Sequence, residues 1–154
     1  MAAPTILLVA DDPRLIEAVR REVETLGGPP LWVEPTVGRA LGRAAGGDVG
    51  AVLVHFAGGV EVADVEALVR LVSARPAPAP VVVLSRDLYD AGEASVLFQV
   101  GAADYLGLAD HLDRLAAVLG ALTAPPAPRP LPIPAARVVP ERRVPLADLL
   151  ASLF

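Results

Sequence analysis

Thr5 to Ala10 read TILLVA, a continuous β-branched and leucine run that stops at Asp11, Asp12 and Pro13. A strand covered on both faces has this unbroken apolar character, whereas a half-exposed strand alternates. Asp12 followed by Pro13 is a helix start. The carboxylate can cap free N–H groups, and the proline ring presets the first helical φ. Leu15, Ile16, Val19, Val23 and Leu26 then recur at three- and four-residue spacing, and Gly27-Gly28 ends the helix. A buried strand followed at once by an amphipathic helix is the first of a series.

Four more such units follow. Leu31 to Glu34 is a short strand, and Val37, Leu41 and Ala44 mark a weak helix ending at Gly46-Gly47. Ala51 to Phe56 (AVLVHF) is a third strand, with Val62, Val65, Leu68, Val69 and Val72 on the helix after it. Pro80 to Ser85 (PVVVLS) is a fourth strand, its helix covering about 91–100 and closed by Gly101. Ala103 to Leu106 is the fifth, and Leu108, Leu112, Leu115, Leu119 and Leu122 form a stripe on a last helix. Five βα units predict an α/β, doubly wound five-stranded parallel sheet with helices on both faces, in the order 2-1-3-4-5. Residues 1–123 form this domain. Residues 124–144 are a Pro-rich linker, since Ala124 to Pro145 holds eight prolines. Residues 145–154 (PLADLLASLF) are a short amphipathic helix or the start of a further domain, with Leu146, Leu149, Leu150, Leu153 and Phe154 as its docking side chains.

Composition narrows the chemistry. The 154 residues carry a net charge of −5, which argues against nucleic acid as a direct partner. There is no cysteine, hence no disulfide framework and no thiolate metal site. Every basic residue is arginine, so no mechanism that needs a lysine can operate. Together with abundant Ala, Gly and Pro, this composition suggests a GC-rich bacterial source. The opening MAAPTILLVADD lacks the basic region of a signal peptide, and no apolar run nears the ~20 residues of a membrane-spanning helix. No membrane insertion and a cytoplasmic location are expected.

ILLVADDPRL, PVVVLS and FQVGAADYL, in that order over Thr5 to Leu122, together resemble the receiver domain of bacterial response regulators. The resemblance implies a flavodoxin-like, CheY-like fold. It also implies a phosphate-accepting pocket: two acidic residues after the first strand and an aspartate ending the third hold Mg²⁺, and that aspartate is the nucleophile. A hydroxyl ending the fourth strand and a lysine after the fifth contact the phosphoryl group, so that charge developing on it is compensated. In this chain the first acidic position falls on Ala10, with Asp11 and Asp12 next, although a shift of one residue makes Asp11 and Asp12 the pair. The phosphoacceptor position falls on His55, the hydroxyl is Ser85, and the lysine position is Leu108. The chain therefore resembles a degenerate pseudo-receiver whose phosphorylation pocket is Ala10, Asp11, Asp12, His55, Ser85 and Leu108.

These residues also have plainer readings. Asp11, Asp12 and His55 make an N/O/O set that a divalent ion could take. Preferred is a histidine at a strand terminus, hydrogen-bonded to a nearby carboxylate, so no metal and no cofactor are expected. Ser85 and Tyr105 stand at the family's switch positions, but without phosphate Tyr105 is read as a surface or packing residue. By resemblance the partner surface is the face built by the fourth and fifth helices and the fifth strand, with Tyr105, Leu108, Leu112 and Leu115 as candidates. Ser85 and His55 are the only nucleophile–base pair on offer, so no enzyme is expected. The leading expectation is a phosphorylation-independent interaction module in bacterial signal transduction, whose partner is another signalling protein or a second copy of itself. The alternative is a small-ligand or metal-binding sensor that uses the strand-end cleft.

Overall fold

The computed structural model describes residues 5–46, 48–109 and 112–123, the side chains of residues 112 and 123 excepted. The linker and terminal segment expected over 124–154, with the docking side chains Leu146 to Phe154, lie outside the described residues. Strands β1 (Thr5–Val9), β2 (Leu31–Glu34), β3 (Val49–His55), β4 (Val81–Ser85) and β5 (Asp104–Gly107) alternate with helices α1 (Pro13–Thr25), α2 (Val37–Gly46), α3 (Val62–Ser73), α4 (Ala91–Gln99) and α5 (Leu112–Thr123). All strand pairs are parallel and the order is β2-β1-β3-β4-β5, as expected.

The period-two alternation of side chains sorts each strand into two cores. Leu7, Val9, Val52, Val54, Val83 and Tyr105 face α2, α3 and α4, where Ala40, Leu68 and Leu97 cover them. Ile6, Leu8, Leu53, Val82, Leu84 and Leu106 face α1 and α5, meeting Val19, Leu115 and Leu119. Every residue of β1 and β4 is buried, which is why their sequences are unbroken apolar runs. Edge strand β2 is half-buried, and the Arg43 guanidinium lies 4.3 Å from the Trp32 ring centroid.

Helix starts follow the expected chemistry. Asp12 Oδ1 accepts the Arg14 N–H at 3.0 Å, and Pro13 opens α1. Asp90 Oδ1 accepts the Glu93 N–H at 3.0 Å at the start of α4. One expectation is corrected at α5. That helix begins at Leu112, so Leu108 lies in the loop before it, its N–H donating to Ser85 O at 2.7 Å. A continuous leucine stripe hid this turn, because Leu108 packs against the same core cluster as the helix.

Because every strand runs the same way, the carboxyl ends of β1, β3 and β4 meet at one edge. There β1 leads outward to β2 while its other neighbour, β3, leads the opposite way. Loops diverge at such a point and leave a crevice.

Gly101, between α4 and β5, tests the packing. Its φ is +105°, and an added Cβ would lie 2.7 Å from Val69 Cγ1 on α3. A valine on a helix has little rotamer freedom to yield. Gly101→Ala is therefore expected to destabilise the domain by about 2 kcal/mol. Gly120→Ala on α5, where an added Cβ would meet no described atom within 4 Å, should instead stabilise by roughly 0.5–1 kcal/mol. Urea denaturation of both variants checks the pair.

Candidate functional site

The crevice holds the acidic turn after β1, the end of β3, the end of β4 and the turn after β5. Ala10 is 5% exposed and its N–H donates to Glu34 O at 3.0 Å, so its place is taken up by the sheet. Asp11 is exposed and borders a cleft of about 320 Å³ that His55, Thr36, Gly58, Gly59 and Asp64 also line. Asp12 turns instead into a neighbouring corner of about 200 Å³, bounded by Arg14, Leu15, Arg86, Leu108 and Ala109. The two adjacent carboxylates thus face different spaces.

His55 ends β3 on the cleft floor and is 4% exposed. Among the described residues neither Nδ1 nor Nε2 has a hydrogen-bond partner. The expected hydrogen bond from His55 to a nearby carboxylate is therefore corrected. The acid whose charge acts on it most, Asp12, is already engaged: Arg86 Nη1 lies 3.0 Å from Asp12 Oδ2, while Oδ1 caps α1. Asp12 Oδ2 is buried and receives no well-directed hydrogen bond, so the ion pair is what satisfies it. Burial pushes the His55 pKa below its ordinary value of 6.5. The attraction of Asp12 opposes this, and the Arg86 charge adds to the lowering. Asp12 goes the other way. Burial raises its pKa, but the N–H of Arg14, the Arg86 charge and the N–H of Leu15 outweigh that and hold the carboxyl below 3.8.

Ser85 is buried at the end of β4, and its Oγ accepts the Asp87 N–H at 3.3 Å. Tyr105 lies on β5 with no exposed surface, and its hydroxyl donates to Glu93 Oε2 on α4. Burial and that hydrogen bond push its phenol up to about 12. Tyr89 meets it edge-on, with centroids 5.4 Å apart. The expectation that Tyr105 and Leu115 form a partner surface is corrected, because both are buried, Leu115 at 1% exposure. Leu108 is half-buried against the α1/α5 core, and the side chain of Leu112 lies outside the described residues. Among the described residues the large apolar side chains that do reach solvent are Leu26, Leu88, Tyr89, Val96 and Phe98, the last four on or just before α4.

Arg86 is the residue that sequence reading missed. Loss of the lysine position at Leu108 leaves the corner without a cation from the β5 side, but one residue past β4 supplies it. The signal was present as an arginine directly after Ser85, at the same sheet edge as the acids of β1.

No family model matches this sequence, and no curated protein does. Solved structures do. A response regulator from Hahella chejuensis superposes with a TM-score of 0.67 at 19% identity, covering 78% of this chain and 95% of that one. An orphan response regulator of H. pylori gives 0.63 at 17%, covering 80% and 98%. The receiver domain of a sensor histidine kinase from Pseudomonas aeruginosa PAO1, which has a magnesium ion coordinated in its active-site cleft, gives 0.61 at 21%, covering 79% and 98%. The chain has the receiver fold. No described helix is long and apolar enough to cross a membrane.

Within this receiver fold the state of His55 is measurable. The unfolded chain takes up a proton at His55 below about pH 6.5, while the folded chain resists. Stability is thus unaffected above that pH and falls as the solution is acidified toward the lower folded pKa. His55→Gln is expected to flatten this part of the acid slope in urea titrations run from pH 7 to pH 5. In the wild type, the His55 Cε1–H resonance should titrate below 6.5.

Proposed function

We propose that this domain is a phosphorylation-independent receiver that works in bacterial signalling by binding another protein or a second copy of itself. The observation that carries this reading is His55. A buried imidazole kept neutral at the end of β3 stands where a phosphate-accepting receiver needs a carboxylate nucleophile. The surroundings agree with it. Leu108 brings no charge to the position of the phosphate-contacting cation, and Arg86 is committed to Asp12. A transferred phosphoryl group would meet neither its nucleophile nor the charges that stabilise it.

With chemistry removed, what the fold still offers is surface. Leu88 is 68% exposed, and Val96 and Phe98 are each 44% exposed along the α4 side of the molecule. Exposed apolar side chains gathered on one short segment mark association surfaces more often than scattered ones do. A small-ligand sensor is the second reading, favoured by one observation: the unpartnered ring nitrogens of His55 beside an open cleft. An absorbance spectrum of the purified protein tests it for coloured ligands.

The leading reading is checked by adding acetyl phosphate, or beryllofluoride with Mg²⁺, to ¹⁵N-labelled protein. No saturable shift is expected at Asp11, Ser85 or Tyr105. A saturable response at those amides would return the domain to the phosphorylated class.

A further inference from the structure

Two adjacent carboxylates at a strand end are the usual setting for a divalent cation, and the sequence resemblance implies Mg²⁺ here. The side chains present do not fit one. Mg²⁺ needs a near-octahedral shell of oxygen donors, with one or two carboxylates among them. Asp12 has neither oxygen to give, since Oδ1 holds the Arg14 N–H and Oδ2 faces Arg86, each at 3.0 Å. Asp11 opens into the other cavity. His55 brings nitrogen, a poor donor for so hard an ion. Among the described residues no three His, Cys, Asp or Glu side chains are grouped to hold a metal.

We infer that Arg86 is the resident counter-cation of this crevice: its guanidinium takes the place at Asp12 that a divalent ion would need, and so keeps such ions out. The magnitudes favour that role over a stabilising one. The Arg86 side chain is 61% exposed, and an ion pair so open contributes only ~0–1 kcal/mol to folding. Its effect on a competing cation is larger. A dication brought to within a few ångströms of a guanidinium is repelled by roughly 1–2 kcal/mol even in water. Arg86 directly follows Ser85, the last residue of β4, which sets its backbone beside the strand ends of the crevice.

The test uses Mn²⁺ as the probe, read as paramagnetic broadening of the amides of Asp11, Asp12 and Ser85 in the full chain. The wild type is expected to show no selective broadening. Arg86→Ala should bind Mn²⁺ roughly tenfold more tightly. The double variant with Arg14→Ala, which clears the second arginine bordering the corner, should bind at least as tightly. Arg86→Lys keeps the charge and should behave as the wild type, whereas Arg86→Gln keeps much of the shape and should behave as the alanine variant. Arg114→Ala, which removes another exposed ion pair, is the control and should leave Mn²⁺ binding unchanged. Broadening in the wild type equal to that in Arg86→Ala would overturn the inference, as would the absence of broadening in both the single and the double variant. Neither result involves phosphate or a protein partner, so each is separable from the test of the proposed function.

Discussion

A parallel sheet covered on both faces can place polar groups only where its strands end, and that constraint organises this molecule. Apart from Thr5 and Ser85 at their ends, the strand residues of β1 and β4, and most of β3, are buried and apolar. The two polar side chains buried near the crevice, His55 and Ser85, are the last residues of their strands. Interior positions could not hold them, because a buried polar group without partners costs about 1–3 kcal/mol. At its strand end His55 has no described protein partner, but it borders the cleft.

The electrostatics of the crevice follow from what is missing as much as from what is present. The phosphate-accepting pocket that the resemblance implies offsets its negative charge with Mg²⁺ and a lysine. Here an arginine stands against Asp12. Arg86 pairs with the buried oxygen of Asp12, and burial keeps His55 neutral, the Arg86 charge adding to that effect against the pull of Asp12. Asp11 is left at the surface of the adjoining cleft. The proposed loss of phosphate chemistry rests on this arrangement of charge.

The fold was legible because apolar periodicity reports burial directly. TILLVA and PVVVLS read as doubly covered strands, and they are. Asp12 and Pro13 read as a helix start, and the cap is there at 3.0 Å. The misreadings have two causes. Leu108 was placed by spacing, which cannot tell a loop leucine packed on a core from a helical one. Tyr105 and Leu115 were assigned to a partner surface by resemblance, which does not report burial. Arg86 was missed for another reason, although its place after Ser85 is plain in the sequence. Its meaning depends on β1 and β4 ending side by side across β3, a relation 74 positions apart in the chain (86 − 12) that no local pattern encodes.

Crevice and surface are tied through one short stretch of chain. Arg86 is fixed to Asp12 at its start, and Leu88 and Tyr89 project two and three residues later. Tyr89 rests edge-on against Tyr105, whose hydroxyl reaches Glu93 on α4, and α4 carries Val96 and Phe98. A receiver that switches must let this stretch move between two packings. Here the first anchor is an ion pair within one chain and the last is a hydrogen bond from a buried phenol, and neither contact waits on a ligand. The apolar side chains between those anchors are therefore presented by the resting fold itself. On the proposed reading, an interaction surface built this way would be constitutive, and regulation would come from the supply of the partner.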